Sequence, residues 1–211
     1  MPRTEAANQR LREVQHEKIL DAARRVFARK GLAATMADIA ADAAVSYGLA
    51  YHYFTNKEAL FQALVEQTLQ ERRAALQRFR EIPMPPGERL DFLVTRLVEN
   101  RRDHPEVAQL HEQVQSSEAT PPDLREQARR VGQAFADLLR QLIVEGQAEG
   151  SVIAADPDQL MTAVFAALDG LTRLAVSNPE RFRQHFPDAS IILAMLKPPT
   201  KRGGKRKERT K

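Results

Sequence analysis

Apolar residues fall at steps of three and four along most of this chain, and no stretch sustains the period-two alternation of a half-buried strand. Between Leu11 and Lys30 the positions Leu11, Val14, Ile19, Ala22, Ala23, Val26 and Phe27 line one helical face. Gly31 follows directly, where a helix C-terminus needs a residue that accepts positive φ. This pattern restricts the chain to an all-α fold.

The breaks between periodic stretches carry their own chemistry. Thr35 precedes a helix expected over Met36–Ala43, with Asp38 placed for a capping box that uses Asp in place of Glu. Ser46 is suited to cap Tyr47–Tyr53, and Asn56 a longer helix from Lys57 to about Phe79. A Pro-rich break, I-P-M-P-P-G at 82–87, separates this block from the remainder. Further helices are expected over Glu88–Arg102, Pro105 to about Ser116, Pro121–Gly150, Asp156–Val176 and near Pro187–Leu196.

Composition narrows the class. A chain of 211 residues with 43% hydrophobic and 28% charged residues has enough apolar side chains for a real core and is not wholesale disordered. The longest apolar runs, Ala163–Leu168 and Ile191–Leu196, are six residues each, short of a membrane span. The start M-P-R-T-E-A-A-N-Q-R lacks the apolar stretch of a signal peptide. Without Cys there is no disulfide framework, thiol nucleophile or cysteine metal site. A cytoplasmic protein making no membrane contact is expected.

The net charge of +4 is unevenly placed. Residues 1–60 carry +2, residues 61–196 carry −5, and residues 197–211 carry +7. The last fifteen residues lack a core-forming pattern and read as a disordered basic tail. Three units follow: 1–60 with a linking helix over 57–79, 61–196, and the tail 197–211.

Residues 35–57, T-M-A-D-I-A-A-D-A-A-V-S-Y-G-L-A-Y-H-Y-F-T-N-K, hold two short helices joined by a tight turn, the minimal helix-turn-helix. In that unit the second helix enters the DNA major groove while the first braces on the backbone. Ile39, Ala40 and Val45 are apolar where the two helices must pack. All three tyrosines fall at 47, 51 and 53, with His52 among them. Tyr51 and Phe54 also suit packing onto the first helix, whereas Tyr47, His52 and Tyr53 favour contact with a ligand or nucleic acid.

The run V-S-Y-G-L-A-Y-H-Y-F-T-N-K-E-A-L-F, preceded by G-L-A-A-T-M-A-D-I-A, resembles the signature of TetR-type transcriptional regulators across about residues 15–65. The resemblance implies a helix-turn-helix head on a larger helical regulatory and dimerisation domain. It implies a homodimer that represses transcription and releases a palindromic operator when a small-molecule effector binds, with no enzymatic activity and no cofactor. At matching positions Thr35 would bind phosphate through its hydroxyl and neighbouring amides. Ser46, Tyr47, Gly48 and Leu49 would face base edges, with Gly48 allowing close approach. Tyr51, His52 and Tyr53 would hold phosphate and groove walls, and Lys57 would meet phosphate. Tyr47 and Leu49 are the first choices for sequence readout. Two residues depart from the family pattern: Ala44 where Gly is usual, implying turn strain, and Ala50 where a larger aliphatic is frequent.

A cation at the first turn of a helix is slightly unfavourable, and a phosphate would compensate Lys57. Arg3, Arg10 and Arg12 suit an arm reaching the minor groove, or equally a frayed charged terminus.

In the larger unit, the stripe Leu160, Val164, Leu168 and Leu171 and the segment Ile191, Ile192, Met195 and Leu196 suit a dimer interface, or the protomer's own core. For an effector pocket, His104, His111, Gln113, Gln133, Phe165, Asp169 and Arg173 offer polar or aromatic groups among apolar neighbours. The −5 charge leans towards a neutral or cationic ligand. His104 and His111 fit no compact zinc pattern, and Pro105 interrupts the helix between them, so no metal site is expected. Two rivals remain: a helical small-molecule binder or enzyme on this fold, and a DNA-coating protein driven by the tail.

Overall fold

The computed structural model describes residues 5–116 and 120–199. Ten α-helices are present among them: α1 (Glu5–Lys30), α2 (Met36–Asp42), α3 (Tyr47–Tyr53), α4 (Lys57–Arg80), α5 (Pro86–Asp103), α6 (Pro105–Ser116), α7 (Pro122–Glu149), α8 (Pro157–Ser177), α9 (Pro179–Gln184) and α10 (Ala189–Leu193). No strand occurs among the described residues.

The expected caps form. Thr35 Oγ1 accepts from the Asp38 amide while Asp38 Oδ2 accepts from the Thr35 amide, a reciprocal capping box at α2. Ser46 Oγ accepts from the Leu49 amide at 3.2 Å, and Asn56 Oδ1 from the Ala59 amide at 2.7 Å. Gly31 ends α1 at φ +57° and opens a short 3-10 turn over Gly31–Ala33.

Three expectations change. Helix α1 is already formed at Glu5, so Arg10 and Arg12 are exposed helical residues rather than an extended arm; Arg3 lies outside the described residues. Helix α9 has too few residues to show a period; Asn178 caps it at the Arg181 amide and Phe182 anchors it in the core. Lys197 is not free tail. Its ammonium lies 2.6 Å from both Asp91 oxygens, and Leu196 O accepts from the Ile153 amide at 2.8 Å. Residues 200–211 of the expected tail lie outside the described residues.

Two apolar clusters organise the molecule. The first joins α1–α4 through Ile19, Phe27, Ile39 and Leu64, and extends to Leu110 and Val114 on α6 and Leu124 and Val131 on α7. The second holds the end of α4 with α5, α7, α8 and α10 around Leu90, Leu142, Ile143 and Leu168. The helix-turn-helix unit therefore shares its core with α6 and α7.

Helix α8 is the most apolar. By length and composition alone it could cross a membrane, with a mean hydropathy of 1.4 over its richest stretch, of which 28% is buried. Its buried stripe packs on α5, α6 and α7, with Met161, Phe165 and Ala167 half-buried beside it.

Candidate DNA-reading face and regulatory cavity

The α2–α3 angle is fixed by packing and by a charged clamp. Ile39, Ala40, Ala43 and Ala50 are buried between the helices and α1. Asp42 accepts from Arg25 at 2.9 and 2.6 Å and from Arg29 at 2.7 Å, tying the end of α2 to α1. Burial works against the Asp42 carboxylate, but the hydrogen bonds from Arg29 and Arg25 outweigh it and hold its pKa below the ordinary value. The turn runs through Ala44 at φ +47°, a left-handed conformation that a side chain disfavours. The strain implied by Ala at this position is therefore present.

Helix α3 turns Ser46, Tyr47, Gly48, Tyr51 and His52 to solvent as one face, with Ala50 fully buried behind them. Tyr47 and Tyr51 are 56% and 41% exposed, with ring centroids 4.7 Å apart and hydroxyls 3.2 Å apart. They form a paired aromatic ridge one turn long. Leu49 is half-buried. Tyr53 is half-buried against the core, edge-on to His16 at 6.2 Å and to His52 at 5.5 Å. The tyrosine that packs is thus Tyr53 and not Tyr51, while Phe54 is buried beside His16 as expected.

Two residues implied to meet phosphate have partners within the protein. The Thr35 hydroxyl donates to Asp38 Oδ2 at 2.8 Å, so it is not a free donor; only the first-turn amides of α2 remain open in the way any helix start leaves them. Asp38 is held down to about 2 by the hydrogen bonds from Lys30, at 2.7 Å, and from Thr35. Lys57 donates to the Leu32 carbonyl at 2.7 Å across the 3-10 turn. That partner, invisible in the sequence, accounts for a cation at a helix start.

The body contains a cavity of about 1270 Å³ between α4, α5, α6, α7 and α8, reaching Arg24 on α1. Of the sequence-derived candidates, His104, His111, Phe165, Asp169 and Arg173 line it. Gln113 and Gln133 do not. Gln113 points the other way and donates to Ala28 O of α1 at 3.1 Å, and Gln133 bonds Asp137 one turn along its own exposed face. His104 ends α5 and pairs with Glu106 at 3.4 Å, so it and His111 stand on different helices.

The lining includes charges that periodicity does not reveal. Burial and the nearby charge of Arg101 push the Arg72 guanidinium down to about 10. Burial likewise lowers Arg101, against the attraction of Asp169. Burial, with the charges of Arg72 and Arg101, pushes His111 down to about 4. Gln115 Nε2 lies 2.7 Å from His111 Nε2 and donates to it when that nitrogen is unprotonated. Six arginines and five carboxylates line the cavity, so its charge is near balance although the body is acidic.

The two stripes chosen for a dimer interface face mostly inward. Leu160, Val164, Leu168, Leu171, Ile192 and Leu196 are buried in the protomer's own core. Only Ile191 (63%) and Met195 (41%) stand exposed. An apolar stripe at helical spacing fits a core as readily as an interface, and here the core takes it.

A helix-turn-helix head built into an all-helical, cavity-bearing body defines a class of DNA-binding regulators. The chain belongs to the TetR family of transcriptional regulators. Residues 19–64 match the family described as bacterial regulatory proteins, tetR family, and residues 83–173 match the tetracyclin repressor-like C-terminal domain. The chain is similar to the HTH-type transcriptional regulator UidR of Escherichia coli K12, 42% identical over 82 residues, 38% of this chain and 40% of UidR. It thus spans less than half the length of that relative. It is also similar to the HTH-type transcriptional regulator BetI of Rhizobium meliloti, 31% identical over 165 residues, 75% of this chain and 76% of BetI. The fold matches the ketosteroid transcriptional regulator KstR2 of Mycobacterium tuberculosis with a TM-score of 0.70 at 21% identity, over 87% of this chain and 95% of that one. It also matches FadR of Bacillus subtilis in complex with stearoyl-CoA, with a TM-score of 0.56 at 20% identity, over 85% and 94%. Members of this family regulate transcription and are not enzymes.

Proposed function

We propose that this regulator is a homodimeric repressor whose α3 helices read the two halves of a palindromic operator, and that an effector filling the cavity releases the DNA. The observation that carries the reading is the double role of α6. One face lines the cavity with Val107, Ala108 and His111; the other packs on α1 through Leu110 and Val114, with Gln113 bonded to Ala28 O. An occupant that shifts α6 shifts the frame that holds α2 and α3. Helix α4 adds a second link, since Thr68 and Arg72 line the cavity while Lys57 sits at the head. The stearoyl-CoA bound by the similarly folded FadR supports treating such a body as an effector site.

Val176 on α8, and Ile191 and Met195 in and after α10, are exposed apolar side chains that a partner would take out of water, which supports dimerisation. Two-fold symmetry would set the recognition helices about one DNA turn, roughly 34–36 Å, apart or at a similar repeat. Tyr47, Gly48, Tyr51 and His52 face base edges and groove walls, with Ser46, Leu49 and Tyr53 supporting them and Thr35 and Lys57 at the phosphates. The effector shifts the DNA equilibrium only by the ratio of its affinities for the two conformations.

Fluorescence anisotropy on a duplex from the DNA upstream of the chain's own gene tests this. Saturable binding that a cavity ligand reverses is expected, with Gln113→Ala blunting the reversal. No retention at low salt would favour a helical binder that has lost operator recognition.

A further inference from the structure

We infer that the cavity takes an amphiphilic carboxylate, its anionic head between Arg72 and Arg101 and its apolar body against Phe79, Phe135 and Phe165. This rests on the reading of the cavity as the effector site. Two cations line the cavity from α4 and α5, and the charge of Arg101 acts on Arg72. Neither makes a hydrogen bond or salt bridge to another described residue, and Arg101 Nε is buried without a partner.

Three of the five acids in the lining lie against other arginines. Glu99 is held by Arg96 at 2.9 Å, Asp103 by Arg102 at 2.8 Å, and Glu71 lies 3.9 Å from Arg24. Asp169 on α8 attracts Arg101, and Glu112 on α6 shares the lining. His111, neutral beside the pair, adds a hydrogen-bonding edge without adding charge at neutral pH. Two desolvated guanidinium groups in one lining are unfavourable, and a carboxylate offers the planar, bidentate partner each lacks. The aromatic side chains beyond them suit an alkyl or ring body rather than a polar one.

Titration calorimetry with three probes of equal chain length, decanoate, decan-1-ol and decyltrimethylammonium, tests the assignment on the wild-type protein. Decanoate is expected to bind at least tenfold more tightly than the alcohol, with the cation weakest. In an Arg72→Gln, Arg101→Gln double variant that preference should fall to about onefold, and the ligand-free variant should melt at a higher temperature. A purely scaffolding role for the arginines would instead lower it. Equal or tighter binding of the alcohol or the cation by the wild type, no decanoate binding, or a preference that survives in the double variant would overturn the inference. The regulatory reading is judged separately by DNA release. A neutral probe that releases DNA would sink the carboxylate and spare the regulation, and decanoate binding without release would do the reverse.

Discussion

Lys57 Nζ and the Leu32 carbonyl lie 2.7 Å apart, joining the first turn of α4 to the 3-10 turn that ends α1. An ammonium has three donors, so this bond holds the side chain at the head of the molecule and leaves two protons for a phosphate. Lys57→Ala is expected to weaken binding to all DNA sequences alike and to reduce the slope of log affinity against log salt by about 1. It should also cost about 1 kcal/mol of stability from the lost bond. Salt titrations of DNA binding, paired with urea unfolding, check both effects. An unchanged salt slope would leave Lys57 a purely internal strut.

Gly48 separates the needs of the fold from those of DNA. A Cβ at this position meets no protein atom within 4 Å, so Gly48→Ala should stabilise the protein by roughly 0.5–1 kcal/mol. If the groove wall closes on this face, the same change lowers operator affinity. Thermal unfolding and anisotropy on one preparation should therefore move in opposite directions. Unaltered affinity would remove Gly48 from the interface.

Ala44 holds φ +47° on an exposed turn. Ala44→Gly should relieve that conformation and raise stability by about 1 kcal/mol, read from the urea midpoint. A fall would mean that the glycine's greater freedom in the unfolded chain outweighs the strain.

His111 makes stability depend on pH. Burial, Arg72 on α4 and Arg101 on α5 act on it, with Gln115 on its own helix bonded to it, and its pKa drops from an ordinary 6.5 to about 4. The unfolded chain therefore takes up the proton first as pH falls. The stability it contributes is complete above about pH 6.5 and is lost towards pH 4, with a slope of up to about 1.4 kcal/mol per pH unit. His111→Gln should flatten that part of the profile in denaturant melts at stepped pH. An identical profile in the variant would show that His111 titrates normally.

The head was legible in the sequence because its signals are local. Thr35, Ser46 and Asn56 are bonded within three residues of themselves, and the caps follow from spacing alone. What spacing does not carry is which side of a helix meets which neighbour. Gln113 looked like a pocket residue until α1 proved to lie behind it, and the Leu160–Leu171 stripe looked like an interface until α5 and α7 covered it. Arg72 and Arg101 were missed because helices rich in Arg usually turn it to water. Only the placement of α4 and α5 around one cavity brings these two into the same lining.

The most direct measurement is selection of bound duplexes from a randomised library, run with the wild type and with Tyr47→Ala. The wild type should enrich a two-fold symmetric site, and Tyr47→Ala should enrich a different base at one position in each half. Absence of any enriched site, or loss of affinity by the variant equally across all sequences, would contradict base reading by α3.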